Sequence, residues 1–555
     1  MPQFLSKLSN YFTQVCNNIY SLSSFQIFII CALISFVINL PTLTVQHTLH
    51  TDGVGGDLFF IEAITRGELP YRDFNWIYGP VMLYYNAFFF KVIGHNIHSL
   101  IWAKLLLNAF FAGVFFLAAR KIMPALTAFL ATVTFIVFMP DFQHNFSHYG
   151  GVCIEIGILW AVLSYHSNAR NKHLLWAALL VLLLGFIKIN FGIMFLGGSI
   201  LCFILCDLFR DKRLVPARLL LYGAALLIIC FLWIITYYLF VRGLSLEEIK
   251  QCFPIFPDNC YYGGSFSQNL ISCINLAKTE ISSNHFYQLI LIIATICILR
   301  ILFHLTWNHT CVINSQRNFF LSISILLILS TITLHEYFKA RIDYQAFWGI
   351  PFFTITIAYL VSETCLISNR AIQLIATLAC ITIISCHAYQ NWKFLDGFKK
   401  QEYYFAYKGV DIYTTVNPTD IKTMQETADF INTKIPKDEL FLAFPNEPFY
   451  YFLTDRKSPS RLIYMIGATN VTPKQQEDLI NNMERQHVDY IVLNNICYFG
   501  NMWGVFGENN CLILYKYFKE NFEEIAQFNN HPIQYWNGTK IFKKKTPAQC
   551  LVKNP

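Results

Sequence analysis

The chain has 555 residues, of which 55% are hydrophobic and only 14% are charged. Soluble domains carry roughly 25% charged residues, so this composition indicates a protein embedded in lipid. The net charge of +7 lies mostly in short loops between apolar segments. Cations placed there report membrane orientation, so the charge does not indicate a nucleic-acid partner.

Apolar runs of roughly 16 to 24 residues, about the length that crosses a bilayer as a helix, recur from Phe25 to Tyr389. This pattern predicts a polytopic α-helical membrane protein with about 11 spans. The predicted spans are 25–45, 99–119, 122–140, 151–166, 174–187, 191–208, 218–241, 285–303, 319–336, 346–362 and 371–389.

Lys and Arg concentrate in alternate loops, and cytoplasmic loops carry this excess. With residues 1–24 in the cytoplasm, the inner loops hold Arg120, Lys121, Arg170, Lys172, Arg210, Lys212, Arg213, Arg218, Arg317 and Arg370. An odd number of spans then places three polar segments outside: 46–98, 242–284 and 390–555. The transmembrane domain is therefore predicted over 25–389, and a periplasmic domain after it.

The C-terminal segment alternates between helical and strand patterns, which predicts a small layered α/β domain. Its predicted helices are 423–433, 473–486 and 512–522, and its predicted strands are 439–444, 490–493 and an edge strand at 540–543. A turn is expected at 445–448. The segment contains no glycine-rich phosphate loop, no metal-ligand spacing and no nucleophile elbow.

The 17 cysteines do not indicate a disulfide scaffold. Many of them, such as Cys202, lie within apolar runs, where a thiol behaves as a small hydrophobic side chain. Two pairs in outer segments, Cys252 with Cys260 and Cys497 with Cys511, remain candidates, because spacing alone does not decide pairing.

The first outer segment predicts two short helices that are too short to span the membrane. One covers Leu58 to Ile64 between Gly55–Gly56 and Gly67, and the other begins after Gly79–Pro80. Both are expected to lie along the interface, where they would form a shelf at the level of the lipid headgroups.

Four acids in this segment are candidates for a catalytic base, and each has a different structural alternative. Asp57 follows the two glycines and is a natural helix N-cap. Glu62 lies within the helix and is expected to face water, and Asp73 follows Arg72 as a turn acid or ion-pair partner. Asp52 has no evident structural role and lies at the water–lipid boundary, so it is the first candidate, with Asp57 second.

The segment then reads Arg66-Gly-Glu-Leu-Pro-Tyr-Arg-Asp-Phe, Tyr78-Gly-Pro and Leu83-Tyr-Tyr. Together with an acid just after the first span, it resembles bacterial membrane glycosyltransferases of the GT-C superfamily, in the protein O-mannosyltransferase-related branch. Gly185-Phe-Ile-Lys-Ile-Asn-Phe-Gly resembles the lysine-containing segment of that group, and Ala340-Arg-Ile-Asp-Tyr resembles its late outer loop. The chain departs from many relatives at Gly53, where they carry a second acid, so the choice of base stays open.

The resemblance implies an inverting hexosyl- or pentosyltransferase of a bacterial inner membrane. Such an enzyme moves a sugar from a polyprenyl-phosphate donor to a lipid, glycan or protein acceptor on the outer face. The reaction needs a base for the acceptor hydroxyl and cations for the leaving phosphate. No resident cofactor is expected, although a divalent cation is not excluded.

Two cations are candidates for the phosphate side: Lys188, whose alternative is snorkelling to the headgroups, and Arg341, whose alternative is a surface ion pair. Glu155 is a candidate because an acid within a span is costly and more often functional than not. The remaining predicted substrate contacts are Asp141, His144 and His148, with a solvated loop as the alternative, and Tyr71, Arg72 and Tyr78.

Other functional classes fit the sequence less well. A polymerase or ligase of lipid-linked glycans would carry a large late outer loop with paired arginines, and the corresponding loop here is short. A transporter would show internal repeats and broken helices, and no clear two-fold repetition is seen. No trio of metal ligands stands out, and Asp141 with His144 and His148 is the weak exception.

Overall fold

The structure is a computed structural model of the full chain. It describes residues 22–40, 54–138, 146–211, 216–253, 313–335, 348–366, 403–414, 418–463, 471–494, 510–528 and 538–546, with positions 271, 275, 465 and 506–508. The predicted spans 285–303 and 371–389 lie outside the described residues.

In the first part of the chain, all the extended regular elements that the structure describes are helices, joined by turns and loops. Its helices are α1 (Ser24–Asn39), α2 (Val54–Thr65), α3 (Val81–Ile93), α4 (Ile97–Ala119), α5 (Ala125–Phe138), α6 (Phe146–Asn168), α7 (Asn171–Gly185), α8 (Ile189–Asp211), α9 (Pro216–Val241), α10 (Leu246–Cys252), α11 (Ile313–Thr333) and α12 (Ile350–Leu366). Local signals set several starts: Ser23 and Gln26 form a capping box for α1, and Asn96 accepts from the Ser99 amide to cap α4.

Four of these helices are long and apolar enough to cross a membrane: Ile97–Ala119, Ser147–Asn168, Ile189–Asp211 and Pro216–Val241. Shorter apolar helices accompany them at Ser24–Asn39, Ala125–Val137, Asn171–Gly185, Asn318–Thr333 and Ile350–Glu363. The protein is therefore a multi-pass membrane protein, and its helix positions follow the predicted spans wherever the structure describes them.

The two short helices of the first outer segment are confirmed, but α2 differs from the prediction in two respects. It begins at Val54, so Asp57 lies in its first turn and is not its N-cap. Leu58, Phe59, Phe60 and Ile61 are all buried, so the helix is enclosed and does not lie on an interface with one face in lipid.

Glu62 was expected to face water, and this expectation is wrong. Its side chain is buried and pairs with Arg66 at 3.2 Å, while His95 lies 3.9 Å away. Burial raises the pKa of Glu62, although the nearby charges of Lys408 and Arg66 oppose this shift. Asp73 behaves as predicted, because it accepts from the Leu69 amide and pairs with Arg72.

The C-terminal part is an α/β domain. It contains a hairpin of β1 (Tyr403–Tyr407) and β2 (Val410–Thr414), followed by a four-stranded sheet of order β3-β4-β6-β5. The elements after the hairpin are α13 (Pro418–Lys434), β3 (Phe441–Phe444), α14 (Phe449–Thr454), α15 (Pro473–Arg485), β4 (Tyr490–Asn494), α16 (Leu512–Asn521), β5 (Phe522–Phe528) and β6 (Thr539–Lys544).

The prediction that residues 540–543 form a strand at the edge of the sheet is wrong about the edge position. β6 pairs with both β4 and β5, and is therefore internal. β5 was not predicted, because apolar and polar residues alternate only weakly along Phe522–Phe528 and the segment follows a helix without a break. β3 and β4 run parallel, with α13 and α14 against one face of the sheet and α15 and α16 against the other.

The C-terminal domain packs directly on the first outer segment. The Asn75 amide donates to the Arg461 carbonyl at 2.8 Å, and the Ile463 amide donates to the Asn75 side chain at 3.0 Å. The Arg461 guanidinium donates to the Tyr71 carbonyl at 3.0 Å and pairs with Glu248 at 3.1 Å. These contacts place the domain and the first outer segment at the same end of the helical bundle.

Cations of the predicted inner loops gather at the opposite end. Asp207 is buried there and accepts from Arg210, Arg218, Tyr165 and Tyr222. This satisfied network joins α6, α8 and the start of α9. Cys252 and Cys511 are free thiols, and their candidate partners Cys260 and Cys497 lie outside the described residues.

Candidate active site at the loop end of the bundle

A short elbow between α7 and α8 carries Lys188, and the first outer segment is bonded to this elbow through the main chain. The Gly79 amide donates to the Ile187 carbonyl at 2.7 Å, and the Val81 amide donates to the Phe186 carbonyl at 3.1 Å. Position 79 must be glycine for this approach, because a Cβ there would lie 2.0 Å from the Phe186 oxygen. The loop and the lysine are thus held in one rigid unit.

The Lys188 side chain is only 4% exposed and ends among aromatic rings. Its Nζ lies 5.7 Å from the ring centre of Tyr78, and 5.2 Å from those of Phe191 and Trp348. His148 Nε2 lies 3.5 Å from the same nitrogen. We call Tyr78, His148, Phe191 and Trp348 the lysine cage; a desolvated cation gains about 2 kcal/mol from such a ring face.

The lysine cage combines four parts of the chain that are far apart in sequence. Tyr78 ends the first outer segment, His148 lies in the first turn of α6, Phe191 begins α8, and Trp348 precedes α12. The His148 ring contacts Tyr78 and Trp348, with centroid separations of 5.0 and 5.3 Å. Lys188 therefore does not snorkel away from the protein; it is directed into the bundle.

A second histidine adjoins the cage. His335, just after α11, donates from Nδ1 to the Ile332 carbonyl at 2.6 Å, and its Nε2 lies 2.9 Å from the Asn190 side-chain amide. Its ring also lies 4.5 Å from that of Phe191. These bonds fix the orientation of the ring beside the cage.

Glu155 lies seven residues after His148, on the same face of α6. It is fully buried, and neither carboxylate oxygen has a hydrogen-bond partner among the described residues. The charge of Lys188 acts on this carboxyl. A buried acid so placed in a spanning helix is costly, which supports a functional role.

The other predicted residues have different surroundings. Tyr71 is fully buried against Tyr237 and Phe253, and its hydroxyl donates to the Tyr78 carbonyl, so it supports the loop from behind. Arg72 is exposed and paired with Asp73. Asp57 is partly buried in the first turn of α2.

Four candidates, Asp52, Asp141, His144 and Arg341, lie outside the described residues. The helices that flank them in the chain are described. Asp52 precedes α2, Asp141 and His144 precede α6, and Arg341 lies between His335 and Trp348. Each flanking element begins or ends at the loop end of the bundle.

Sequence reasoning did not identify Phe191, Asn190, His335 or Trp348. Phe191 and Asn190 were within the motif around Lys188, so their proximity to the lysine was an available signal. His335 and Trp348 gave no such signal, because aromatic residues near helix ends are common in membrane proteins. No group of three or more His, Cys, Asp or Glu side chains is placed to hold a metal ion within the described ranges.

Solved structures with the same architecture identify the fold. ArnT from Cupriavidus metallidurans bound to undecaprenyl phosphate matches with a TM-score of 0.53 and 10% identity, over 94% of this chain and 98% of that one. The Archaeoglobus fulgidus oligosaccharyltransferase in the apo form matches with a TM-score of 0.52 and 12% identity, over 93% of this chain and 74% of that one. This chain has the GT-C fold.

The GT-C fold is matched again by the archaeal oligosaccharyltransferase AglB from Archaeoglobus fulgidus in complex with an inhibitory peptide and a dolichol-phosphate, with a TM-score of 0.51 and 12% identity. No protein-family model and no curated protein matches the sequence. The GT-C fold is thus shown by structure alone, and the protein O-mannosyltransferase-related branch stays a prediction.

Proposed function

We propose that this protein transfers a sugar from a polyprenyl-phosphate donor to an acceptor hydroxyl on the outer face of a bacterial inner membrane. The observation that carries the proposal is the buried lysine cage at the loop end of a GT-C fold. A lysine ammonium enclosed by aromatic rings is suited to a phosphate that arrives on a lipid carrier, since burial strengthens the attraction between the two charges. The ArnT neighbour was solved with undecaprenyl phosphate, and AglB with a dolichol-phosphate.

In the proposed reaction, a carboxylate of the first outer segment takes the proton from the acceptor hydroxyl. The acceptor oxygen then forms a bond to the anomeric carbon of the sugar, and the bond from that carbon to the phosphate oxygen breaks. The electron pair leaves with the polyprenyl phosphate, whose developing charge Lys188 and Arg341 stabilise. Attack opposite the leaving group inverts the anomeric configuration.

We assign the other candidate residues to three roles: proton transfer, substrate binding and support of the loop. Asp52 is the proposed base, with Asp57 as the second choice. His148 and Tyr78 orient the Lys188 ammonium, and Glu155 balances its charge before the donor arrives. Asp141 and His144 are proposed to line the acceptor path, together with Arg72, while Tyr71 holds the loop in place.

The direct test replaces Lys188 with alanine in the full-length purified protein and measures undecaprenyl-phosphate binding. We expect affinity to fall by roughly 10- to 100-fold, because an ion pair in a desolvated site is worth several kcal/mol. Lys91→Ala is the matched control, since Lys91 is exposed at the end of α3 and should bind the lipid normally. Equal lipid affinity in the two variants would contradict the proposal.

A further inference from the structure

The end of the bundle opposite the lysine cage carries four cations that the proposed reaction does not use. Arg120 and Lys121 follow α4, whereas Arg170 and Lys172 lie at the connection between α6 and α7. We call these four residues the basic cluster. Lys121 is half-buried and the other three are exposed. The two turns that carry them, 120–124 and 169–172, contain no acidic residue.

Helix packing brings the two turns of the basic cluster to one level of the bundle. A Cβ on Gly157 of α6 would lie 3.1 Å from Leu180 of α7 and 3.6 Å from Phe111 of α4, so the three helices meet there. Lys121 lies ten residues after Phe111, and Lys172 lies eight residues before Leu180. At a helical rise of 1.5 Å per residue, these positions are about 15 Å and 12 Å from the meeting point. Both lie in the same direction, because α4 and α7 run in opposite senses, so the turns are neighbours.

Local contacts hold each turn in a defined shape. Arg120 donates from Nη1 to the Met123 carbonyl at 3.2 Å, which closes the turn after α4. The His173 amide donates to the Arg170 carbonyl at 3.0 Å, and the His173 ring packs edge-on against Trp160 of α6, with 5.9 Å between centroids. The cations are therefore presented from ordered turns.

The basic cluster has no acidic counterpart. None of its four side chains makes an ion pair in the part of the chain that the structure describes. By contrast, Arg210 and Arg218 at the same end pair with Asp207 at 2.6 and 2.7 Å. Partial burial lowers the pKa of Lys121, and the charges of its lysine and arginine neighbours in the cluster lower it further. Like charges gathered in this way attract an anion.

The basic cluster adjoins a surface that faces lipid. Leu175, Trp176 and Leu179 follow Lys172 by three, four and seven residues, so all four lie on one face of α7. The three apolar side chains are 72%, 48% and 50% exposed, while the opposite face of α7 packs into the bundle. Exposed apolar side chains on a membrane helix contact acyl chains, so Lys172 lies at the depth where the headgroups of that leaflet begin.

We propose that the basic cluster binds the phosphate of an anionic phospholipid, one of whose acyl chains lies along the exposed face of α7. The headgroup supplies the negative charge that the two turns lack, and lysine and arginine bind phosphate through charge-assisted hydrogen bonds. Basic pockets between membrane helices are known binding sites for such headgroups. A soluble anion or an acidic protein would leave the apolar face unused, so the lipid fits both features. This site is independent of the proposed sugar transfer.

The test compares two lipids on the full-length protein purified in detergent. Phosphatidylglycerol should be retained in native mass spectrometry and should raise the Tm, whereas phosphatidylcholine, which has no net charge, should do neither. Lys172→Gln should weaken phosphatidylglycerol binding by roughly fivefold, and Lys121→Gln combined with Lys172→Gln should weaken it further, because each removes one cation from the headgroup site.

Lys91→Gln is the matched control. Lys91 is an exposed cation at the opposite end of the bundle, and it also lies beside exposed apolar side chains, those of Phe88 and Val92. This variant should bind phosphatidylglycerol like the wild type. Lipid held at the lysine cage instead would be lost in Lys188→Ala and kept in Lys172→Gln, which separates the two sites.

Three results would overturn the proposal. The first is equal retention of phosphatidylglycerol and phosphatidylcholine by the wild type, and the second is unchanged phosphatidylglycerol affinity in the double variant. The third is a rise in Tm with inorganic phosphate that equals the rise with phosphatidylglycerol at the same concentration, since this would assign the cluster to a soluble anion.

Discussion

At the scale of single residues, Lys188 and Glu155 stand apart from the other polar side chains of the bundle. Asp207 is equally buried, but two arginines and two tyrosines satisfy it. Glu155 has no such partners among the described residues, and Lys188 faces mainly aromatic rings. Asp207 therefore has a stabilising role, whereas a buried acid and a buried lysine at the other end are the kind of groups that functional sites contain.

The choice of base is a prediction at this scale. Asp52→Asn should lower turnover by about 10²- to 10⁴-fold with donor binding intact, because it removes proton transfer and leaves the cage unchanged. Asp57→Asn should retain most activity, since a first-turn acid contributes only about 0.3–1 kcal/mol to its helix. Rates with a radiolabelled polyprenyl-phosphate sugar would check both variants, and the reverse ranking would assign the base to Asp57.

At the scale of structural elements, the bonding of the first outer segment to the Lys188 elbow is the feature that joins the loop to the site. Gly79→Ala should force the two main chains apart, because its Cβ would lie 2.0 Å from the Phe186 oxygen. We expect a loss of about 1–3 kcal/mol in stability and weaker lipid binding.

Gly197→Ala is the matched control for this prediction. Gly197 lies in α8, and a Cβ there meets no atom within 4 Å. Thermal denaturation and undecaprenyl-phosphate binding of both variants would provide the comparison. Wild-type lipid affinity in Gly79→Ala would show that the elbow does not position Lys188.

A second element-scale prediction concerns pH and the packing of α15 on the sheet. Glu484 accepts from Lys544 of β6 and from Tyr517 of α16, and the Lys544 hydrogen bond holds the pKa of Glu484 below its usual range. A lowered pKa stabilises the folded state above the unfolded value of about 4.3, and this stabilisation is lost as the pH falls through the folded pKa. Glu484→Gln should therefore be less stable than the wild type at pH 7, by about 0.2–1 kcal/mol, and the difference should vanish in acid.

Thermal denaturation at several pH values would measure this difference. Glu477→Gln, on an exposed position of the same helix, should match the wild type throughout. A difference between Glu484→Gln and the wild type that persists unchanged below pH 3 would exclude the ion pair as its cause.

At the scale of the whole molecule, the two ends of the bundle are chemically different. One end carries the lysine cage, the first outer segment and the C-terminal domain, while the other carries Lys121, Arg170 and Lys172, whose charges lie close together. Basic loops remain in the cytoplasm as a rule, which predicts that the proposed site faces the opposite compartment, as the proposed function requires.

Thiol labelling in intact cells tests this orientation. An impermeant maleimide should react with cysteines introduced by Lys91→Cys and Glu477→Cys, because both positions are exposed at the site end. Lys172→Cys should react only after the membrane is permeabilised. Labelling of Lys172→Cys in intact cells, or of Glu477→Cys only in broken ones, would reverse the topology and remove the lipid-linked donor from the argument.

Local sequence patterns predicted many of the helices in this architecture. Hydrophobic run length predicted the described spanning helices, and the helix at Pro473–Arg485 began where its proline and capping box indicated. Lys188 was recognisable because a charge at the end of a span conflicts with lipid. These are one-dimensional signals, since they depend on a residue and its near neighbours in the chain. His148 was predicted only as part of a polar cluster in an outer loop, and the structure places it in a helix instead.

The tertiary structure alone decided the rest. Trp348 lies 160 residues after Lys188 in the chain and yet contacts it. β6 lies inside the sheet because its pairing partners are set by register with distant strands. The burial of Glu62 followed from the docking of the C-terminal domain, which a helical pattern does not contain. Composition and spacing thus determined which segments enter the membrane, whereas long-range packing determined which side chains surround the lysine.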